Sequence, residues 1–122
     1  MRVAGLGFRE AANVASLRDA LARAGGTEGL VALATADEKA SARCLQELAA
    51  ELALPIRGVA PSALAAAETV TLSDRVAARF GAGSVAEAAA LAAAGPAARL
   101  LGPRAISHDG MATAAIAEGA LL

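Results

Sequence analysis

The sequence has no tryptophan, no tyrosine and only two phenylalanines among its 122 residues. Proteins that hold single-stranded nucleic acid stack bases on aromatic rings and follow the phosphates with a basic groove. Neither means is present, because 11 lysines and arginines face 12 acids for a formal net charge of -1, so no nucleic-acid partner is expected. The one cysteine, Cys44, rules out an intramolecular disulfide. Its place on the apolar stripe of a predicted helix gives it a packing role in a reduced compartment. With a single histidine, His108, no ligand set exists for a dedicated metal site. The GxxxxGK[ST] phosphate loop is missing as well, and no cofactor is expected. A membrane span needs roughly 20 apolar residues. The most apolar tract, residues 88–98, falls short and contains Pro96. Arg2 and Arg9 flank too short an apolar run for a signal peptide, so a cytoplasmic protein with no membrane partner is expected.

What is present is apolar and small. Hydrophobic residues make up 57% of the chain, most of them alanine with leucine and valine. That predicts one domain over residues 1–122, with a close-packed core. Residues 2–7 read as a buried strand, and Asn13 to Ala24 follows helical spacing with Val14, Leu17, Leu21 and Ala24 on one stripe. Gly25-Gly26 ends that helix. Residues 30–34 form an unalternating apolar run, as in a central strand covered on both faces. Strand, helix and strand in that order make a βαβ unit. A helix is expected from about Ala40 to Leu52, with Thr35 as a cap of the region and Asp37 and Glu38 at the positive end of its dipole. Residues 54–57 suggest a third strand opening with Pro55, and residues 61–67 a short helix led by Pro61. A further helix spans Asp74 to Phe80, closed by Gly81. Ser84 and Glu87 have capping-box spacing ahead of a buried helix, Val85 to Ala94. The tail offers two strands, 99–102 and 112–117, around the polar turn 107–110. The expected fold is therefore α/β: a three-layer α/β/α domain with a mixed, mostly parallel sheet and a C-terminal antiparallel hairpin.

The stretch Val3-Ala4-Gly5-Leu6-Gly7-Phe8-Arg9 runs from an apolar strand into two glycines and an arginine. Open sheets gather ligands at such strand ends. A dinucleotide site requires a third glycine, and Glu10 stands in its place, bringing a charge that repels a pyrophosphate. Ser107, His108 and Asp109 are adjacent in a loop, where nucleophile and base cannot take up triad geometry, so His108 reads as a solvated turn residue. Lys39 is the only lysine, placed just after a strand. With Arg9 and the helix start at Ser84 it makes up a carboxylate-binding rim.

Four stretches taken together carry a resemblance. These are residues 3–9; Leu33-Ala34-Thr35-Ala36 with Lys39-Ala40; Gly83-Ser84-Val85-Ala86-Glu87-Ala88-Ala89-Ala90-Leu91; and Ala112-Thr113-Ala114-Ala115-Ile116-Ala117. In order and spacing the chain resembles the CobE family and the carboxy-terminal domain of CbiG. The resemblance implies a role in making the corrin ring of cobalamin, with a precorrin or other corrinoid intermediate as ligand and other corrin-pathway enzymes as partners. It implies a ligand site drawn from Gly5, Gly7, Phe8, Arg9, Thr35, Lys39, Gly83, Ser84, Arg104 and Thr113. Family members tend to carry lysine where this chain has Arg104, and a small or glycine-containing segment where Glu10 follows the arginine.

Precorrins are rigid macrocycles with many acetate and propionate arms, which suit Arg9, Lys39, Arg104 and helix amino termini as partners. Three roles follow: binding of a precorrin-type tetrapyrrole; hydrolytic opening of a precorrin lactone, with Asp37 or Glu38 as base; and an interaction module for a pathway methyltransferase. The catalytic residues are otherwise unassigned, and the expected metal content is none.

Overall fold

The computed structural model describes residues 1–67 and 85–119. The expected helix Asp74 to Phe80, its closing Gly81, and Gly83 and Ser84 lie outside the described residues. The elements run β1 (Arg2–Phe8), α1 (Val14–Ala24), β2 (Leu30–Ala36), a 3-10 turn (Asp37–Lys39), α2 (Arg43–Leu52), β3 (Ile56–Val59), α3 (Pro61–Ala66), α4 (Val85–Ala94), β4 (Arg99–Leu100), β5 (Ala105–Ile106) and β6 (Ala112–Glu118).

The sheet has the order β3-β2-β1-β6-β4, with β5 also paired to β6. β1, β2 and β3 are parallel to one another. β6 joins β1 antiparallel, in register from Arg2 opposite Glu118 to Phe8 opposite Ala112. Successive strand residues point to opposite faces, and here both faces are covered, which is why β1, β2 and β6 are apolar without alternation. On one face Ala4, Leu6, Leu33, Ala114 and Ile116 pack against Leu17 and Leu21 of α1 and Leu45 and Leu48 of α2. On the other, Val3, Ala34, Ala36 and Ala117 meet Leu64 of α3 and Ala88, Ala89 and Ala90 of α4. Three layers, α/β/α, result. Each fully buried leucine contributes about 1.5–3 kcal/mol of transfer free energy, so the α1/α2 face carries much of the hydrophobic stabilisation.

The local chemistry explains the boundaries. Asn13 precedes α1 rather than joining it: its side chain accepts the Ser16 N–H at 3.0 Å, while the Ser16 hydroxyl accepts the Asn13 N–H at 3.4 Å. This is a reciprocal cap with serine in the third helical position. α1 stops at Gly25, whose φ of 140° suits a residue without Cβ. The expectation that Thr35 caps the next helix is overturned. β2 runs on through Ala36, and the buried Thr35 hydroxyl donates to the Leu6 carbonyl at 2.8 Å, tying β2 to β1. Asp37 and Glu38 likewise occupy the 3-10 turn, and the first turn of α2 has no acid. The third strand begins at Ile56, two residues later than expected, with the Pro55 carbonyl accepting the Leu33 N–H at 2.9 Å.

The C-terminal hairpin is present with its first arm broken in two. Gly102-Pro103 interrupts the ladder, so β4 pairs with Ala117 and Glu118 and β5 with Thr113 and Ala114, both on β6. Proline has no N–H to give a ladder. The described residues contain no helix long and apolar enough to cross a membrane.

Candidate functional site

The parallel strands β1, β2 and β3 all end at the same side of the sheet, and a cavity of about 370 Å³ lies off those ends. In open α/β sheets this is where chain connections part and leave room for a ligand. Among the described residues, Gly7 and Phe8 come from β1, Thr35 and Ala36 from β2, and Asp37, Glu38 and Lys39 from the turn that follows. Val59, Pro61, Leu64 and Val85 supply the remaining apolar wall. The arrangement is mainly apolar, with charge confined to the turn.

Lys39 places its ammonium 5.4 Å from the centroid of the Phe8 ring. A cation over an aromatic face is held by the ring quadrupole, an attraction worth about 0.5–1 kcal/mol where solvent reaches it. Asp37 lies against β3: a Cβ added at Gly58 would fall on its Oδ1 atom. The carboxylate thus takes the space that a side chain at position 58 would fill. Gly7 is close to Thr113 across the β1–β6 pair, where the Thr113 hydroxyl donates to the Gly7 carbonyl at 3.4 Å.

Of the ligand-site residues singled out from sequence, Gly7, Phe8, Thr35 and Lys39 are brought together in this cavity, together with the candidate bases Asp37 and Glu38. Gly5 is not. A Cβ there would collide with the Ala86 carbonyl and come within 2.6 Å of the Ala90 nitrogen, so Gly5 lets α4 lie directly on the β1 backbone. Arg9 is exposed beyond the end of β1, where its main chain donates to the Met111 carbonyl at 2.9 Å. Arg104 leads into β5, and its main-chain N–H donates to the buried Glu87 carboxylate at 2.9 Å. Neither arginine lines the cavity. Thr113 is beside Gly7 without lining it. Gly83 and Ser84 lie outside the described residues. Sequence reasoning missed the wall made by Val59, Pro61, Leu64 and Val85, since nothing in an apolar residue at a strand end or helix start separates cavity lining from core.

The Ser107-His108-Asp109 turn is a mooring rather than a catalytic group. Asp109 accepts the Ser107 hydroxyl and the Ser16 hydroxyl of α1, each at 2.6 Å, and the Met111 N–H at 3.0 Å. Those donors, Ser107 first, hold its carboxyl down to about 2. His108 contributes its main-chain N–H to Asp19 at 2.6 Å, with its side chain exposed. Among the described residues no group of three or more His, Cys, Asp or Glu side chains is placed to hold a metal ion.

A family model described as "Cobalamin synthesis G C-terminus" matches residues 2–117. Two solved structures are similar over nearly the full length. One is of CobE, a protein from the cobalamin (vitamin B12) biosynthetic pathway, at 34% identity and a TM-score of 0.79, covering 96% of this chain and 92% of that one. The other is the cobalamin biosynthesis protein chiG from Agrobacterium tumefaciens str. C58, at 38% identity and a TM-score of 0.74, covering 99% and 100%. A cobalamin biosynthesis protein G homologue from Sulfolobus solfataricus shares the fold at 21% identity and a TM-score of 0.67, over 95% of this chain and 36% of its own. No match is found among curated proteins.

Proposed function

From the premise that the chain belongs to the cobalamin synthesis G C-terminus family and is a protein of cobalamin biosynthesis, we propose that it binds a precorrin-type tetrapyrrole at the strand-end cavity. The observation that carries this reading is the meeting of Gly7, Phe8, Thr35 and Lys39 around one apolar-walled space with a single cation at its turn. A corrinoid intermediate presents a flat apolar ring edged by carboxylates. Apolar walls take the ring, and the lysine takes a carboxylate arm. Such a site binds and orients its ligand.

The test is a titration of the purified protein with a corrin intermediate such as hydrogenobyrinic acid, followed by the tetrapyrrole absorbance. Saturable binding is expected, and Lys39→Met should weaken it by about tenfold or more, since a hydrogen bond to a charged group contributes about 1.5–3 kcal/mol. Arg9→Ala, next to Phe8 but outside the cavity lining, should weaken it less. Absence of binding at high micromolar ligand defeats the reading.

A second reading, hydrolytic opening of a precorrin lactone, draws on Asp37 and Glu38, which both line the cavity. One carboxylate would take a proton from water as the water adds to the lactone carbonyl. The ring C–O bond then breaks, and the proton passes to the departing alkoxide. Incubation with a lactone-bearing intermediate decides between the two: binding without turnover above the uncatalysed rate leaves only the binding role.

A further inference from the structure

We propose that the strand-end cavity is one half of a larger site, continuous across the Phe8–Lys39 pair with the groove beside the amino end of α2, and that one planar, carboxylate-bearing ligand occupies both halves. The proposal rests on the tetrapyrrole reading above. The groove measures about 620 Å³ and shares Phe8, Glu38 and Lys39 with the cavity. Its other side includes Ala42, Arg43 and Cys44. The boundary between the two spaces is thus the Lys39 cation resting on the Phe8 ring, with Glu38 beside it.

Size favours the extension. Pockets for drug-sized ligands span about 300–1,000 Å³, and the strand-end cavity, at about 370 Å³, sits near the bottom of that range. A tetrapyrrole with its acetate and propionate arms exceeds a drug-sized molecule, so it projects out of the cavity. Among the described residues Lys39 is in no ion pair. A ligand carboxylate is a stronger partner for its ammonium than the Phe8 ring. Turning to that arm, Lys39 uncovers the ring face, and the macrocycle stacks on it.

The charged side chains of the groove are mixed in sign. Glu10 and Glu47 join Glu38 in the groove, and like charges there repel carboxylate arms. Arms that enter the groove therefore turn away from these acids, to Lys39 and to Arg43.

The chain's single cysteine reports on the groove alone, and its single lysine on the boundary that both spaces share. Cys44 lines the groove and not the cavity. Burial pushes its thiol up, so alkylation by iodoacetamide is followed by mass spectrometry in alkaline buffer. With hydrogenobyrinic acid at about ten times its dissociation constant, alkylation should slow roughly tenfold. Reductive methylation with ¹³C labels Lys39, whose signal the Phe8 ring shifts upfield. That shift should vanish at saturation, as it should in Phe8→Leu without ligand. Binding that leaves the Cys44 rate unchanged overturns the continuous site, whether or not the Lys39 signal moves, and leaves the tetrapyrrole reading standing. Failure of the macrocycle to bind at all overturns that reading and this proposal with it.

Discussion

The two faces of the sheet solve the same packing problem with different residues. Toward α1 and α2 the contacts are made by leucines, Leu6, Leu17, Leu21, Leu33, Leu45 and Leu48, all within 2% of full burial. Toward α4 they are made by alanines and by the bare backbone at Gly5, where helix and strand touch without an intervening side chain. A leucine face tolerates small shifts, because long side chains can change rotamer. A backbone-to-backbone contact has nothing that can give way. The stiffer face holds Val85, the first residue of α4 and part of the cavity wall. The strand-end cavity thus takes part of its wall from the stiffer face, whereas bulk stabilisation lies on the other.

Three substitutions probe that contrast. The largest effect on stability is expected from Leu21→Ala, which empties space on the leucine face and should cost about 2–5 kcal/mol in denaturant unfolding. Its affinity for the corrin ligand should be unchanged. A loss of binding equal to that in a cavity variant would erase the distinction between the faces. Gly5→Ala comes next, at about 1–3 kcal/mol from overpacking. Here binding should weaken too, because α4 must lift and carry Val85 with it. Unfolding and titration on the same sample show whether the two losses travel together.

The smallest effect concerns the polar edge of the leucine face, where Asp109 moors the β5–β6 turn to α1 through Ser16. Its carboxyl titrates at about 2, below its ordinary range near 3.8. A depressed value means that the contribution is fully present above the ordinary pKa and is lost as the pH falls through about 2. Wild type should therefore lose more of its thermal midpoint between pH 5 and pH 2, roughly the window around the ordinary carboxylate pKa, than Asp109→Asn does. Equal losses would mean that the mooring contributes nothing.

Much of this architecture was legible from residue order. Unalternating apolar runs gave β1, β2 and β6, and the alanine run after Glu87 gave the buried α4. Phe8, Thr35 and Lys39 were placed at strand ends, and the parallel sheet brings strand ends together. Gly5 was misleading, for a physical reason. A glycine in a strand marks a close approach by something, and sequence cannot say whether that is a ligand or a helix some 80 residues away. Here it is α4. The reciprocal Asn13–Ser16 cap escaped because serine takes the place usually held by glutamate or glutamine. The broken arm of the hairpin turned on Gly102-Pro103, whose effect on a ladder was readable but was not applied.

The pairing of β1 with β6 has a consequence for how the molecule comes into being. β1 is the first described element and β6 the last, yet they are neighbours in the middle of the sheet, in register along seven residues. Until β6 has left the ribosome, β1 has one side of its backbone open, a template for pairing with another chain. Contacts this distant in sequence make closure slow and late. A nascent chain stalled before residue 112 should therefore be the aggregation-prone species, although the finished fold leaves no such edge on β1.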